Sequence, residues 1–243
     1  MFNRISSVIL TILLFLLSWW SISGQNPASL MVFVLSLAVF AAAVLVVNSR
    51  RVGFVWPHLL LPILFLAGFG SLFAVITGPG FREVFLIAAS LTFYAMEVQL
   101  GKESHFLQNV YLFSAFAIFV GLFAVQFYFN FNFVLLGLGV FVATYLLIIQ
   151  GFAGFSLPVK KYFSFLTALV CAEASLGLYL WPTYYVVDAI VVFAIFYLLW
   201  IFSFSAFFGK LTRNKILWQL GFVCLVLLAV LATTSFRPLT GIK

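Results

Sequence analysis

The side chains best suited to proton or cation chemistry are three acids that fall inside long apolar stretches, namely Glu97, Glu173 and Asp188. The other two acids, Glu83 and Glu103, lie at the ends of such stretches. A charge left at mid-depth in a bilayer costs about 2.5 to 3.5 kcal/mol on insertion scales, so a carboxylate there is expected to be protonated, paired or beside a wet cavity. In each of these three cases we expect Glu173 to lie inside a helix bundle.

The three acids are predicted to stand at successive depths. Glu97 is about one turn from the cytoplasmic end of its helix, Glu173 is near mid-depth, and Asp188 is about one and a half turns from the outer end of the next helix. Glu173 and Asp188 should lie within about 5 Å of each other in depth, where they could share a proton or a cation. We therefore interpret the three acids as proton-binding or ion-binding candidates, with Glu173 as the titrating group.

A structural interpretation stands beside this functional one. Glu173 could equally form a buried hydrogen bond that fixes helix packing. For Asp188 the structural interpretation is favoured, because an acid early in a helix is stabilised by the positive end of the helix dipole. It is favoured for Glu97 as well, because this carboxylate can reach the cytoplasmic interface and pair with Lys102.

Two helical patterns indicate how these acids are positioned. Ser90 and Tyr94 precede Glu97 at i, i+4 and i+7 spacing, so this stripe could line an aqueous path. In the helix of Glu173, small residues fall on one side and allow another helix to approach closely: Ala168, Cys171, Ala172 and Ser175. The other side carries Glu173 together with Leu166, Leu169, Gly177 and Leu180. We therefore expect this helix to be central, with protein contacts on both sides.

Motifs for enzymatic or metal chemistry are missing from the sequence. It contains no HExxH, GxSxG, Walker A or dinucleotide-binding glycine fingerprint. Two single histidines, His58 and His105, do not form a Cys/His cluster, and Cys171 and Cys224 are expected to be small packing residues. The sequence therefore predicts no enzyme, no metal site and no cofactor.

Composition places the chain among helical membrane proteins. Of 243 residues, 66% are hydrophobic and 7% are charged. At about 20 to 25 residues per span, the length accommodates about nine spanning helices with short loops. We predict an all-α polytopic transmembrane bundle forming one integral membrane domain over 1–243. The predicted spans are 5–22, 30–47, 54–77, 84–100, 106–128, 133–150, 162–180, 183–207 and 216–234.

The twelve basic residues indicate orientation rather than a nucleic-acid partner, because they occur singly or in pairs between apolar spans. With the amino terminus inside and the carboxy terminus outside, nine lie on the cytoplasmic side and three outside. The nine are Arg4, Arg50, Arg51, Lys102, Lys160, Lys161, Lys210, Arg213 and Lys215, and the three are Arg82, Arg237 and Lys243. We predict a retained first span, although Arg4, the apolar run and 21–23 also fit a cleaved signal peptide.

The chain contains 33 phenylalanines and combines a mid-helix Glu173 with Trp181-Pro182 before span eight. In these features and in its size, it resembles uncharacterised multi-pass proteins of reduced-genome candidate-phylum bacteria. This resemblance implies no activity and assigns no functional residues. It is consistent with a cell-membrane location, for which we predict the bacterial inner membrane.

The residues support two functional hypotheses. The first is a small proton-coupled transporter or permease that uses a buried carboxylate to move a proton or a small solute. The alternative is a membrane scaffold or accessory subunit whose buried polar groups hold helices together and whose surface meets a membrane-protein partner. The lipid bilayer is the expected environment in both cases.

Overall fold

The chain folds into α-helices wherever its structure can be described. The computed structural model describes residues 2–23, 27–53, 56–76, 78–100, 105–152, 157–181 and 183–234. These residues form nine helices and no strand. The helices are α1 (Phe2–Ser23), α2 (Pro27–Val52), α3 (Trp56–Val75), α4 (Pro79–Gln99), α5 (His105–Phe129), α6 (Phe133–Gly151), α7 (Leu157–Tyr179), α8 (Tyr185–Phe207) and α9 (Arg213–Thr233).

The predicted all-α membrane fold is confirmed. Among the described residues, seven helices are long and apolar enough to cross a membrane: α2, α3 and α5 to α9. In α1 the apolar stretch, Ile5–Trp20, is shorter. The remaining helix, α4, carries three charged side chains, Arg82, Glu83 and Glu97. The chain is therefore a polytopic helical membrane protein, while the predicted orientation stays a prediction.

Most helix ends lie within three residues of the predicted ones, but α2 ends five residues later than predicted, and α4 and α7 begin five residues earlier. α7 begins at Leu157, five residues before the predicted start, because Lys160 and Lys161 are good helix formers and extend the apolar helix. α8 begins at Tyr185, two residues after its predicted start. Thr183 is not helical, and its hydroxyl bonds to the side chain of Asp188. Pro182, which precedes Thr183 in the sequence, lies outside the described ranges.

A short turn joins α5 to α6. α5 ends at Phe129 and α6 begins at Phe133, so three residues make the turn. Asn130 has a φ of 50°, in the left-handed region that asparagine tolerates better than most residues. The side-chain oxygen of Asn132 accepts a hydrogen bond from the backbone N–H of Val134 at 3.1 Å and caps α6.

The chain divides into two compact units, Met1–Ile118 and Phe119–Lys243, with the boundary inside α5. In the first unit α1 packs against α2 and α4, and α3 packs against α2 and α4. In the second unit α6 packs against α7 and α8, and α8 also contacts α7 and α9. The single domain expected over 1–243 stays a prediction.

Phenylalanine rings fill the centre of the first unit. Phe65, Phe69 and Phe93 are fully buried. The ring centroids of Phe65 and Phe93 are 6.1 Å apart, and those of Phe69 and Phe73 are 5.4 Å apart. Such tilted pairs add about 0.5 to 1.5 kcal/mol beyond the burial of their surface. Part of the phenylalanine content therefore serves the protein core rather than the lipid-facing surface.

The residue at position 68 sets how closely α3 approaches the first part of α5. A Cβ on Gly68 would lie 2.9 Å from the Cβ of Ala117 and 3.0 Å from the carbonyl oxygen of Ser114. We expect Gly68→Ala to lower thermal stability in detergent, because overpacking typically costs about 1 to 3 kcal/mol and outweighs the better helix propensity of alanine.

The matched control is Gly221→Ala in α9, where an added Cβ meets no atom within 4 Å. This variant should unfold at the wild-type temperature or slightly above it. Equal stability of the two alanine variants would show that the close approach at Gly68 does not matter for packing.

Candidate functional site

The most completely bonded polar group in the first unit is an ion pair between α2 and α4. Nη1 of Arg51 donates to Oε2 of Glu97 at 2.8 Å. The side chains are 6% and 0% exposed, respectively, so water hardly reaches the pair. Arg51 lies in the last turn of α2, where a cation is also favoured by the negative end of the helix dipole.

Two further side chains complete the cluster, which we call the Arg51–Glu97 clasp and define as Ser7, Asn48, Arg51 and Glu97. Nδ2 of Asn48 donates to Oε1 of Glu97 at 2.8 Å, and Oδ1 of Asn48 accepts from Nη1 of Arg51 at 3.2 Å. Nη2 of Arg51 donates to Oγ of Ser7 and to the backbone oxygen of Glu97, at 3.2 and 3.3 Å. The clasp therefore joins α1, α2 and α4.

The clasp is a buried ion pair in which both oxygens of the carboxylate are hydrogen-bonded, while Nε of Arg51 is buried without a hydrogen-bond partner among the described residues. Both carboxylate oxygens of Glu97 accept short hydrogen bonds, and the guanidinium of Arg51 balances the charge. Removing charges from water costs several kcal/mol per ion, and this cost is offset only by good geometry and additional hydrogen bonds. Asn48 and Ser7 supply those bonds. Glu97 is thus held by its neighbours in one arrangement.

Sequence analysis placed Glu97 correctly near the end of its helix but assigned it a different partner. The expected partner, Lys102, lies outside the described residues. Arg51 was interpreted only as an orientation signal. The sequence does contain a sign of its role, because Asn48 and Arg51 are three residues apart and lie on one face at the end of an apolar helix.

The predicted path-lining residues of α4 do not take part in the clasp. Ser90 is buried, and its hydroxyl has no hydrogen-bond partner among the described residues. The side chain of Tyr94 is half-buried. An aqueous path along this stripe stays a prediction.

Asp188 lies in the first turn of α8 and is buried. Its Oδ1 accepts a hydrogen bond from the hydroxyl of Thr183, in the segment that precedes the helix. The backbone N–H of Thr183 in turn donates to the carbonyl oxygen of Trp181 at 2.8 Å. Next to this contact, the rings of Tyr184 and Tyr185 are 4.3 Å apart. Asp188 thus ties the start of α8 to the connection from α7.

Glu173 lies on the surface of α7, contrary to the prediction that it is inside the bundle. The proposed small-residue face is confirmed, since Ala168, Cys171, Ala172 and Ser175 are all buried. The opposite face is exposed, so α7 has protein contacts on one side rather than two. Among the described residues no hydrogen bond joins Glu173 to Asp188. The prediction that Glu173 is buried was therefore wrong, since its side chain lies on the exposed face of the helix.

A metal site requires several ligating side chains close together. In the described ranges, no three residues of the types His, Cys, Asp and Glu come together in a way that could bind a metal. The clasp belongs to the first unit, whereas Asp188 and Glu173 belong to the second.

Comparison of the chain with protein-family models, with curated proteins and with solved structures finds no match. The resemblance to multi-pass proteins of candidate-phylum bacteria stays a prediction.

The clasp predicts a non-additive response to mutation. Arg51→Met should destabilise the protein by about 3 to 5 kcal/mol, because it leaves the Glu97 carboxylate buried without a counter-charge. The double variant Arg51→Met, Glu97→Leu should be more stable than Arg51→Met alone, because no uncompensated charge remains. The measurement is the unfolding temperature in detergent. It is compared among the wild type, the two single variants Arg51→Met and Glu97→Leu, and the double variant.

Arg50→Met is the matched control, since Arg50 is adjacent to Arg51 but exposed. Its effect should be below about 0.5 kcal/mol, as is usual for surface positions. Additive losses in the double variant would mean that Arg51 and Glu97 stabilise the protein independently of each other.

Proposed function

We propose that this protein is a non-catalytic membrane scaffold or accessory subunit, in which buried polar groups fix the packing of helices. The observation that carries the proposal is the pairing of Glu97 with Arg51 and Asn48. The most buried carboxylate of the first unit is neutralised and hydrogen-bonded, as a structural contact requires. A proton carrier, by contrast, must gain and lose its charge during function.

The second unit supports the same proposal through Asp188. Its hydrogen bond to Thr183 fixes the connection between α7 and α8, and it lies where the positive end of the α8 dipole stabilises an acid. Two of the three candidate acids thus have local structural roles.

The outermost helix of the second unit offers surface for an interaction. Val223 is the one buried residue of α9. The hydroxyl of Tyr197 on α8 donates to Oε1 of Gln219 at 2.8 Å and helps to attach α9 along one side. The other sides of α9 carry exposed apolar residues such as Leu225 and Leu228. An accessory subunit requires such a surface, which lipid or a partner membrane protein would cover.

Proton-coupled transport is the second candidate, and one observation favours it. Glu173 is within α7 and has no hydrogen-bond or ion-pair partner among the described residues. In hydrocarbon an unpaired carboxyl is stable only when it carries a proton, and a group that binds a proton there could also release it to a wet path. In either case we propose the bacterial inner membrane as the location, on the resemblance given above.

Proton flux in proteoliposomes separates the two candidates. The purified chain is reconstituted with a pH dye inside, a potassium diffusion potential is imposed, and candidate solutes are screened in parallel. For a scaffold we expect no flux above that of protein-free vesicles, both for the wild type and for Glu173→Gln. A protonophore added at the end of each run verifies that the vesicles are sealed.

A wild-type flux of protons or of a solute that Glu173→Gln abolishes, while the variant remains folded, would overturn the scaffold proposal. It would identify Glu173 as the titrating group of a transporter. Glu97→Gln is the companion variant, for which the scaffold proposal expects loss of thermal stability.

A further inference from the structure

One end of the second unit carries five basic side chains on three neighbouring segments. Lys160 and Lys161 lie near the start of α7, and Arg213 and Lys215 lie in the first turn of α9. Lys210 lies in the turn that joins α8 to α9. We call these five residues the basic cluster.

Helix packing brings the three segments to the same end of the unit. The ring centroid of Phe163 on α7 is 6.1 Å from that of Phe207, the last residue of α8. The backbone N–H of Lys210 donates to the carbonyl oxygen of Ser205 at 2.9 Å and closes the turn after α8. Since α9 packs against α8, all five cations lie around the end of α8.

The acids of the chain are too few to neutralise the basic cluster. Of the five acids, Glu97 is already paired in the clasp. Glu173 and Asp188 are about 24 and 28 Å along their helices from the end that carries the cluster. The remaining two, Glu83 and Glu103, could pair with two of the five cations, which leaves three without an acid partner in the chain. This count holds for any arrangement of the two units.

The cations of the cluster have no role within the unit. Among the described residues, none of the five side chains forms a hydrogen bond or an ion pair. They do not stabilise their own helices either, because a cation is favoured at the C-terminal end of a helix and four of the five lie near N-terminal ends. The positive charge of the cluster is therefore available to an anion outside the chain.

Aromatic side chains beside the cluster indicate its depth in the membrane. Trp218, one turn after Lys215 on α9, is 80% exposed, and Tyr162, next to Lys161, is 76% exposed. Tryptophan and tyrosine favour the level of the lipid headgroups, where one end of the side chain is apolar and the other is wet. The cations lie outward of these two rings, towards the helix starts, at the level of lipid phosphates.

This depth determines which anion the cluster meets. Lysine and arginine bind phosphate through charge-assisted hydrogen bonds, and basic residues at a membrane surface attract anionic lipids. A zwitterionic headgroup is attracted less, because it brings its own cation. Phe208, which follows α8 directly, is 52% exposed and offers an apolar surface against which a lipid chain can pack.

We propose that the basic cluster binds the headgroups of anionic phospholipids, with cations from the start of α7, the turn after α8 and the start of α9 contacting the phosphates. The site does not depend on whether the protein acts as a scaffold or as a transporter. It also does not depend on which side of the membrane the amino terminus faces.

A lipid titration of the purified full chain tests the proposal. The protein in an uncharged detergent is titrated with a phosphatidylglycerol that carries a pyrene-labelled acyl chain, and energy transfer from tryptophan reports binding. We expect saturable binding that unlabelled phosphatidylglycerol competes away. Phosphatidylcholine and inorganic phosphate should compete poorly at the same concentrations, and added salt should weaken the binding.

Charge-removing variants locate the site. Lys160→Gln, Lys161→Gln and, separately, Arg213→Gln, Lys215→Gln should each weaken binding roughly ten-fold, because each pair removes two surface cations. Lys160→Arg, Lys161→Arg is the matched control that keeps the charge and should bind as the wild type does. Arg50→Gln removes an exposed cation of the first unit and should have no effect.

Three results would overturn the proposal. Phosphatidylcholine could compete as well as phosphatidylglycerol, which would mean that the lipid charge is not recognised. Inorganic phosphate could displace the lipid equally well, which would indicate a site for soluble anions. Finally, both double Gln variants could bind as tightly as the wild type, in which case the lipid binds elsewhere. Should either double variant fail to fold, the salt dependence of the wild type decides, because binding that salt leaves unchanged is not carried by these cations.

Discussion

A carboxylate that enters a bilayer must be neutralised or hydrogen-bonded, and the arrangement of the first unit follows from how Glu97 meets this requirement. Its partner is the guanidinium of Arg51, and the remaining hydrogen bonds come from Asn48 and Ser7. These contacts fix the end of α2 against α4 and the start of α1. Hydrophobic burial cannot determine such a register, because lipid is as apolar as the faces of the helices. The polar contact therefore specifies the packing, while the phenylalanine rings between α3 and α4 fill the space that it leaves.

The number of helices and their positions along the chain could be predicted from the sequence, because the thickness of the hydrocarbon layer sets the length of each spanning helix. An apolar stretch of about 20 residues has to be helical in a membrane, so hydropathy and the turn residues are sufficient to locate each element. The hairpin at Asn130–Asn132 is an example, since one asparagine accepts a left-handed backbone and the other caps the following helix. The start of α8 was less predictable. Thr183 uses its hydroxyl to bond to Asp188, and a side-chain contact of this kind leaves no trace in hydropathy.

The sequence did not reveal which residues contact each other at the candidate site. Helical spacing correctly separated the two faces of α7, and the small-residue face is buried as expected. Spacing says which residues share a face but not what covers that face. The same limitation applies to Arg51, whose position at a helix end fits both an orientation signal and an ion pair. Only the placement of α2 beside α4 distinguishes these two roles.

Glu97 and Glu173 pose the same physical problem at different positions along their helices. Glu97 is near a helix end, where a basic residue of a neighbouring helix can reach it without leaving its own favourable position near the membrane surface. Glu173 is further from any helix end, and it has no ion-pair partner among the described residues. An ion pair at such a position would require a cation in hydrocarbon, which adds a second penalty of about 2.5 to 3.5 kcal/mol. Position along the helix therefore favours an ion pair for Glu97 and disfavours one for Glu173.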